Sequence, residues 1–351
     1  MRLLTAIAGV LVIALVLWDA FETIILARRV ARKLRITRFF YQATWAAWAT
    51  LGRLVRAGNR RENYLSIYGP LSLLLLLATW AAALVFGFGL LQWGAVAIAT
   101  PDGVDDLFSY FYFSGTTFFT LGLGDIRATT RLGQSLTVLE AGTGFGFLAL
   151  VISYIPGLSE AYSEREVYIS LLDARAGSPP TAVELLRRHS SAAGVKELDH
   201  LLDEWERWAA ELLESHISFP VLGYFRSQHD NQSWVAALTA ILDTCSLLMA
   251  RDHDTAWRAR MTFAIARHAV IDLCLVLEQK KASEENAGRS IAELHVPPEA
   301  EARVRELQRS YEPYCLALSR HLRMPLPPWT PPREARDNWQ WGTARDIDHE
   351  F

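Results

Sequence analysis

The sequence predicts an all-α membrane protein with a helical soluble half, and three observations support this prediction. Hydrophobic residues make up 51% of the 351 residues and charged residues 21%, a balance typical of a chain that is part membrane and part water-soluble. Residues 65–98 contain no charged residue, and residues 132–159 contain only Glu140. Either stretch exceeds the ~20 residues that cross a hydrocarbon core. The second half shows helical periodicity and almost no strand-like alternation.

An apolar stretch at residues 3–17 predicts an additional N-terminal transmembrane helix. A cleaved signal peptide is the alternative interpretation, which is disfavoured because a strongly basic stretch follows the apolar core and no small-residue cleavage site does. Asp19 and Glu22 lie three residues apart, on one helical face. We expect these carboxylates to pair with arginines such as Arg28 or Arg29 and to fix topology and packing.

A basic segment, residues 28–62, separates the first predicted span from the second. By the positive-inside rule it is cytoplasmic, which places the N-terminus outside and the C-terminal half in the cytoplasm of a bacterial cell, with the chain crossing the plasma membrane several times. Its aromatic residues at helical spacing predict a helix on the inner membrane face, where membrane lipid is a partner. The role of this helix is either a plain topology signal or a phospholipid site. The cations are Arg28, Arg29, Arg32, Lys33, Arg35, Arg38, Arg53, Arg56, Arg60 and Arg61.

A short motif between the two long apolar stretches predicts an ion-conduction filter at residues 120–125. It follows a predicted helix at residues 106–119, which Asp105 or Asp106 can cap and whose negative end favours cations. Glycine takes left-handed dihedrals cheaply, and alternating it with ordinary residues turns successive carbonyls toward one side. Such a column can replace the water shell of a cation. The filter residues are Thr120, Leu121, Gly122, Leu123, Gly124 and Asp125.

The predicted inner helix, residues 132–156, carries one ionisable residue and a cluster of glycines. An ionisable residue inside a span is a functional candidate. Glu140 either lies behind the filter, with a hydrogen bond to Thr116 or Thr117, or faces the cavity and concentrates cations. Small residues in mid-span permit close helix crossing and a bend, which predicts a gating hinge. The hinge residues are Gly142, Gly144 and Gly146.

The outer helix (65–98), pore helix, filter motif and glycine-containing inner helix together resemble the pore module of tetrameric potassium channels, over about residues 65–156. We place the boundaries of this domain at residues 63–157. The resemblance implies a homotetramer, because each chain supplies one quarter of the filter ring. It also implies K⁺ as the permeant ion, no catalysed reaction and no organic cofactor.

Carried over residue by residue, the resemblance assigns the hydroxyl and carbonyl of Thr120 to the innermost ion site. Gly124 ends the filter, and Asp125 braces it through a hydrogen bond to a pore-helix aromatic, for which Tyr112 is positioned. The carbonyls that line the sites between these ends belong to Leu121, Gly122 and Leu123.

Two positions depart from the family's pattern. Leu123 replaces the usual filter tyrosine, and Phe119 replaces the usual preceding threonine. Leucine keeps the carbonyl but cannot donate the tyrosine's hydrogen bond, so a potassium-selective and a poorly selective cation channel both stay open, as does a receptor or scaffold with a non-conducting pore. The gate is either a bend at the glycines or filter collapse at Leu123, and Leu123→Tyr would rescue the latter.

The sequence pattern of the soluble half, residues 158–323, predicts a helical bundle. The inner helix is expected to break before it, at Pro156-Gly157. A Pro-rich tail at residues 324–351 is either a flexible end or a docking strap. An unknown cytoplasmic effector or the chain's own pore region, if the soluble half binds either, is expected at residues 219–231. The predicted helices lie near 161–176, 181–192, 195–215, 232–250, 254–282 and 298–323.

Neither a metal site nor a nucleotide-binding or catalytic motif is predicted in the soluble half, and no nucleic-acid partner is expected. The histidines and Asp230 show no metal-ligand spacing, so solvated or core positions are favoured. The cysteines are expected to be buried free thiols. These residues are Cys245, Cys274, Cys315, His216, His229, Asp230, His253 and His268.

Overall fold

The computed structural model describes residues 2–26, 35–96, 98–100, 103, 106–229, 231–251, 255–283, 289–294 and 297–332. It shows an all-α membrane protein, with one antiparallel pair of two-residue strands, β1 (Ile98–Ala99) and β2 (Arg127–Ala128). The helices are α1 (Arg2–Ala20), α2 (Ile36–Leu51), α3 (Asn59–Ser66), α4 (Tyr68–Ala95), α5 (Leu107–Phe118), α6 (Arg131–Ala176), α7 (Ala182–Arg188), α8 (Ala192–Ser218), α9 (Trp234–Ala250), α10 (Ala256–Val276) and α11 (Pro298–Leu322).

The chain divides into two compact units. The membrane unit comprises Met1–Val55 and Ile67–Ser159, and the helical unit comprises Arg56–Ser66 and Glu160–Phe351. Three helical stretches within the described residues are long and apolar enough to cross a membrane. These are Arg2–Ile25, Asn59–Ala95 and Arg131–Ala176.

The N-terminal helix α1 packs along α4 in the membrane unit. The two backbones approach closely, because a Cβ on Gly9 would lie 2.5 Å from the Gly87 carbonyl oxygen. Small residues at such a crossing are typical of membrane helix pairs, in which van der Waals contact drives association. The predicted N-terminal span is therefore a helix that packs on the outer helix of the pore region.

A buried carboxylate, Asp19, joins α1 to α2 and α4. It accepts hydrogen bonds from the Thr37 backbone N–H (3.1 Å), the Thr37 hydroxyl (2.6 Å) and the Trp80 indole (3.0 Å). The Arg35 Nε lies 4.0 Å from Asp19 and 3.5 Å from Glu22. The carboxylates thus have a packing role, as expected, with Arg35 as a cationic partner. Arg28 and Arg29, the arginines proposed for this role, lie outside the described residues.

The expected break of the inner helix is wrong, since α6 runs without interruption from Arg131 to Ala176 and contains Pro156. Proline removes one backbone hydrogen bond and crowds the preceding turn, which bends a helix more often than it ends one when both flanks are strongly helical. The boundary that we drew at residue 157 therefore falls within a continuous helix.

The helical unit is a bundle in which α9 is central and packs against α7, α10 and α11. Residues 234–248 of α9 are all buried. Helix α8 packs on α10 through one face, which confirms the predicted apolar periodicity. The predicted helix at 181–192 is shorter than expected, because α7 ends at Arg188. The buried face of α8 includes Leu198, Leu201, Leu202, Trp205, Trp208 and Leu212.

The first part of the Pro-rich tail is a strap that packs on the helical unit. Trp329 is 3% exposed and shares a core with Leu247 and Val304. The Arg289 guanidinium donates to the Pro327 carbonyl oxygen at 2.7 Å and lies over the Trp329 ring. Residues 324–332 therefore belong to the helical unit, which corrects the boundary placed at 323. Residues 333–351 lie outside the described part of the chain.

A buried polar network holds Arg289 in place beneath this strap. The guanidinium makes a bidentate pair with Asp243, at 2.8 and 2.7 Å, and its Nε donates to Glu312 at 2.9 Å. The Tyr311 hydroxyl donates to the same Asp243 carboxylate at 2.6 Å. A buried ion pair specifies which segments pack together, because breaking it leaves an uncompensated charge.

The three cysteines are free and buried, which confirms the prediction. Burial raises the pKa of the Cys274 and Cys315 thiols to about 12, so both stay protonated and unreactive at neutral pH. Among the described residues no group of His, Cys, Asp and Glu has the geometry of a metal site. Asp230 and His253, two of the residues considered for such a site, lie outside the described residues.

Trp329→Ala is expected to lower the free energy of unfolding of the helical unit by about 3–5 kcal/mol, because it removes a large buried side chain from a packed core. Chemical unfolding of the full-length protein in detergent measures this. Trp257→Ala is the matched control, since Trp257 is 63% exposed. Equal stability of the two variants would contradict the packed strap.

His216 makes the helical unit sensitive to acid. Burial first, and then the Arg165 charge, lower the pKa of His216 to about 3. The unfolded chain binds a proton near pH 6.5 that the folded chain does not, so stability is lost as the pH falls below that value. Between pH 7 and 5 the loss is about 2 kcal/mol for this residue.

Unfolding at the two pH values, followed by tryptophan fluorescence, measures this loss; the Trp234 ring lies 5.2 Å from His216. His216→Gln is expected to remove the loss of stability that His216 causes. The loss that His321 causes is expected to remain, because burial lowers the pKa of His321 to about 4. An unchanged pH dependence in the variant would refute the assignment.

Candidate ion-conduction site

The pore helix α5 begins at the predicted cap. Asp106 is the N-cap residue, and its carboxylate accepts a hydrogen bond from the Ser109 backbone N–H at 2.9 Å. Hydrogen bonds from the Ser109 hydroxyl and N–H lower the pKa of Asp106, so the cap is ionised at neutral pH. A negative group suits the positive end of the helix, and the opposite end, at Phe118, carries the partial negative charge. The other proposed cap, Asp105, lies outside the described residues.

The backbone of residues 120–124 alternates between two conformations. Thr120, Gly122 and Gly124 have φ values of 56°, 56° and 80°, whereas Leu121 and Leu123 are not among the residues with positive φ. The side chains of the two leucines are 62% and 63% exposed in the single chain. Alternation of left-handed and ordinary residues is the conformation that turns successive carbonyls to one side, as the sequence predicted.

The carbonyls at the end of the pore helix anchor this backbone. The Thr116 carbonyl oxygen accepts from the Leu121 N–H at 2.8 Å and the Gly122 N–H at 3.3 Å, and the Thr117 carbonyl accepts from the Thr120 N–H at 3.0 Å. The last carbonyls of a helix have no partner within it, so the chain that follows satisfies them. The two threonines thus contact the motif through their backbones.

The other end of the motif is joined to the middle of the pore helix. The Tyr112 hydroxyl donates a hydrogen bond to the Asp125 carboxylate at 3.0 Å. This is the contact that the resemblance implied for these two residues. This hydrogen bond joins Asp125 to α5.

Glu140 lies behind the pore helix and is fully buried within the chain. It accepts hydrogen bonds from the Ser114 hydroxyl and the Gln92 side-chain amide. The expected partners, Thr116 and Thr117, are therefore wrong, because the side chain meets α5 half a turn or more earlier. The hydroxyl of Thr116 bonds instead to the Phe113 carbonyl, at 3.0 Å. Of the two positions considered for Glu140, these contacts agree with the one close to the pore helix.

Sequence reasoning missed Gln92 and Ser114 as members of this cluster. Both are buried polar residues on apolar helices, with 0% of each residue exposed. The signal was available, since Gln92 is a polar side chain in an uncharged span, where a buried amide needs a partner. Together the three residues join α4, α5 and α6.

The three glycines of the inner helix occupy different surroundings. A Cβ on Gly144 would lie 1.9 Å from the Phe118 carbonyl oxygen, so α6 touches the end of the pore helix there. A Cβ on Gly142 or Gly146 would meet no heavy atom of the described chain within 4 Å. Gly144 is thus a close-packing position, and the other two lie on open faces of the helix.

An apolar cavity of about 720 Å³ lies in the membrane unit between α4, the end of α5 and α6. It extends to Thr120, the first residue of the alternating segment. The other lining residues include Leu77, Ala81, Phe118, Phe145 and Val151.

Two apolar spans, with a capped helix and a segment of alternating backbone between them, are the arrangement of an ion-channel pore. Residues 74–157 match the family model described as "Ion channel". Over this segment the chain is therefore similar to the pore domain of ion channels.

A second similarity reaches beyond the pore module. The chain is 24% identical over 206 residues to the "Uncharacterized membrane protein YdjJ" of Bacillus subtilis (strain 168). The similarity covers 56% of this chain and 58% of that relative, so the chain spans less than two thirds of the relative's length. No solved structure matches the chain significantly.

Gly144→Ala is expected to destabilise the protein by about 1–3 kcal/mol, because the new methyl group overlaps the pore-helix carbonyl and forces α5 and α6 apart. Gly142→Ala and Gly146→Ala are the matched controls, one turn or less away on the same helix. Thermal unfolding in detergent compares the three variants. A Gly144→Ala protein as stable as the controls would show that the close contact is absent.

Proposed function

We propose that the protein is a potassium-selective channel that conducts through a filter formed by residues 120–125 in a homotetramer. In this proposal the N-terminus is outside, the filter segment enters the membrane from the outside, and the helical unit lies in the cytoplasm. The basic segment supports that orientation through the positive-inside rule. The channel needs no catalytic group and no organic cofactor.

The observation that supports this proposal best is the alternating backbone of Thr120, Gly122 and Gly124 at the C-terminal end of a re-entrant helix. A row of carbonyls that all face one side serves no purpose in a single chain in water. Arranged around a fourfold axis, such rows replace the hydration shell of a cation at successive sites.

Conduction in this arrangement is an exchange of ligands. An ion that enters loses water and gains carbonyl oxygens, and the next ion displaces it along the row by repulsion. The negative end of α5, near Phe118, stabilises a cation that has just lost its water. The hydrogen bond between Tyr112 and Asp125 keeps the outer end of the row in place.

The second candidate is a poorly selective cation channel, which Leu123 favours. Its side chain has no group that can hydrogen-bond behind the filter, so the filter has one fewer restraint than a tyrosine would provide. A wider or softer row of carbonyls discriminates less between K⁺ and Na⁺ if selectivity depends on a fixed cavity size.

Ion flux through purified protein in liposomes tests the proposal, with potassium and sodium gradients compared. Gly122→Ala is expected to reduce potassium flux at least ~10-fold, since a Cβ at φ 56° costs about 1–2 kcal/mol and turns the carbonyl away. Gly58→Ala is the matched control: Gly58 has φ 100°, with no neighbour within 4 Å of a Cβ, and lies outside the pore module.

Potassium flux that exceeds sodium flux and is lost only in Gly122→Ala would support the potassium channel. Equal potassium and sodium fluxes would favour the second candidate. Wild-type protein that is tetrameric but carries no flux under either gradient would contradict both and favour a receptor or scaffold with a non-conducting pore.

A further inference from the structure

One loop of the helical unit contacts both chain segments that lead into the pore module. We call residues 219–226 the hub; it contains the short 3₁₀ helix Pro220–Tyr224 and ends at Arg226. Arg226 is largely buried, with 8% of its side chain exposed.

The Arg226 guanidinium joins the end of α11 to α3. It donates to the carbonyl oxygens of Leu322 (2.8 Å) and Arg323 (3.0 Å), which lie at the C-terminal end of α11, where the helix dipole suits a cation. Its second terminal nitrogen, Nη1, donates to the Glu62 carboxylate. Glu62 lies in α3, and Ile67 alone separates α3 from the outer helix α4.

The same loop receives hydrogen bonds from the continuation of the inner helix. Arg165 of α6 donates to the carbonyl oxygens of Leu222 and Phe225, each at 2.9 Å. The Tyr162 hydroxyl, also of α6, donates to the carbonyl of Arg226 itself at 3.1 Å. Arg165 is 3% exposed, so these bonds form in a dry environment, where they are strong.

The segments that flank the pore module therefore meet at the hub. The chain enters the outer helix from α3 and leaves the inner helix along α6, and each of these segments is bonded to the same eight residues. A buried guanidinium that loses its carboxylate is left with an uncompensated charge, so Glu62 and Arg226 hold each other in place. Coupling between distant sites needs such a contiguous network.

We infer that Arg226 is a positioning residue for channel opening, which holds the lead-in of the outer helix and the continuation of the inner helix in one arrangement. The inference rests on the proposed function and adds the route by which the helical unit reaches the pore. The ions never touch Arg226; it acts through Glu62 and through its own carbonyl.

The test compares full-length wild type, Glu62→Gln and Arg226→Gln in the liposome flux assay. Each variant is expected to change potassium flux at least ~5-fold, in the same direction, because each breaks the same coupling. The ratio of potassium to sodium flux is expected to stay that of the wild type, since the filter is untouched. The double variant is expected to match the single ones, because the second change finds the pair already broken.

Glu301→Gln is the matched control. It breaks the 2.6 Å pair with Arg305 on α11, and the Glu301 side chain is 36% exposed, against 38% for Glu62. Flux in this control is expected to equal that of the wild type. Wild-type flux in Glu62→Gln would overturn the inference, and so would loss of the tetramer or of the flux ratio, which would assign the pair to folding.

Hydrogen exchange separates failure of this inference from failure of the proposed function. In Glu62→Gln, exchange is expected to rise at residues 59–66, at the hub and at residues 160–169, whereas Glu301→Gln leaves all of these unchanged. A wild-type protein without ion flux would contradict the proposed channel function. The exchange data would still test whether the Glu62–Arg226 pair connects α3, the hub and α6. No rise at residues 160–169 would overturn it.

Discussion

The backbone conformation of residues 120–124 is the constraint on which the rest of the membrane unit depends. Thr120 has a Cβ and adopts φ 56°, a conformation that costs about 1–2 kcal/mol for an ordinary residue. Such strain persists only where neighbouring groups hold it. Carbonyls of Thr116 and Thr117 hold the near end, and the hydrogen bond from Tyr112 to Asp125 holds the far end.

Helix α6 contacts the pore helix from behind at two points one helical turn apart. Glu140 accepts from Ser114, and Gly144 touches the Phe118 backbone. Residues four apart share a helix face, so both contacts lie on one face of α5 and one face of α6. A buried carboxyl is costly unless it is hydrogen-bonded, which sets the rotation of α6 about its axis. Gly144 then sets the distance between the helices.

The sequence predicted the elements of the fold better than their contacts. Uncharged runs longer than a bilayer specify spans, and alternate glycines specify the alternating backbone of residues 120–124, because both signals are local. The predicted hydrogen-bond partner of Glu140 was wrong, because each residue of a helix is rotated by about 100° from the one before it. An error of two residues therefore selects another face of the helix. The sequence left open whether the Pro-rich tail is a flexible end or a strap. Trp329 packs on Leu247, which is distant in sequence, and composition alone carries no information on such a contact.

The uninterrupted inner helix changes how motion can pass along the chain. A helix of 46 residues is about 69 Å long and transmits displacement through its backbone hydrogen bonds. It is held at Glu140 and Gly144 by the pore helix and at Arg165 by the hub. Pro156 lies between these attachments and removes a backbone hydrogen bond, so bending concentrates there. The inference about Arg226 therefore needs the part of α6 that follows Pro156 to stay attached to the hub, and Arg165 supplies that attachment.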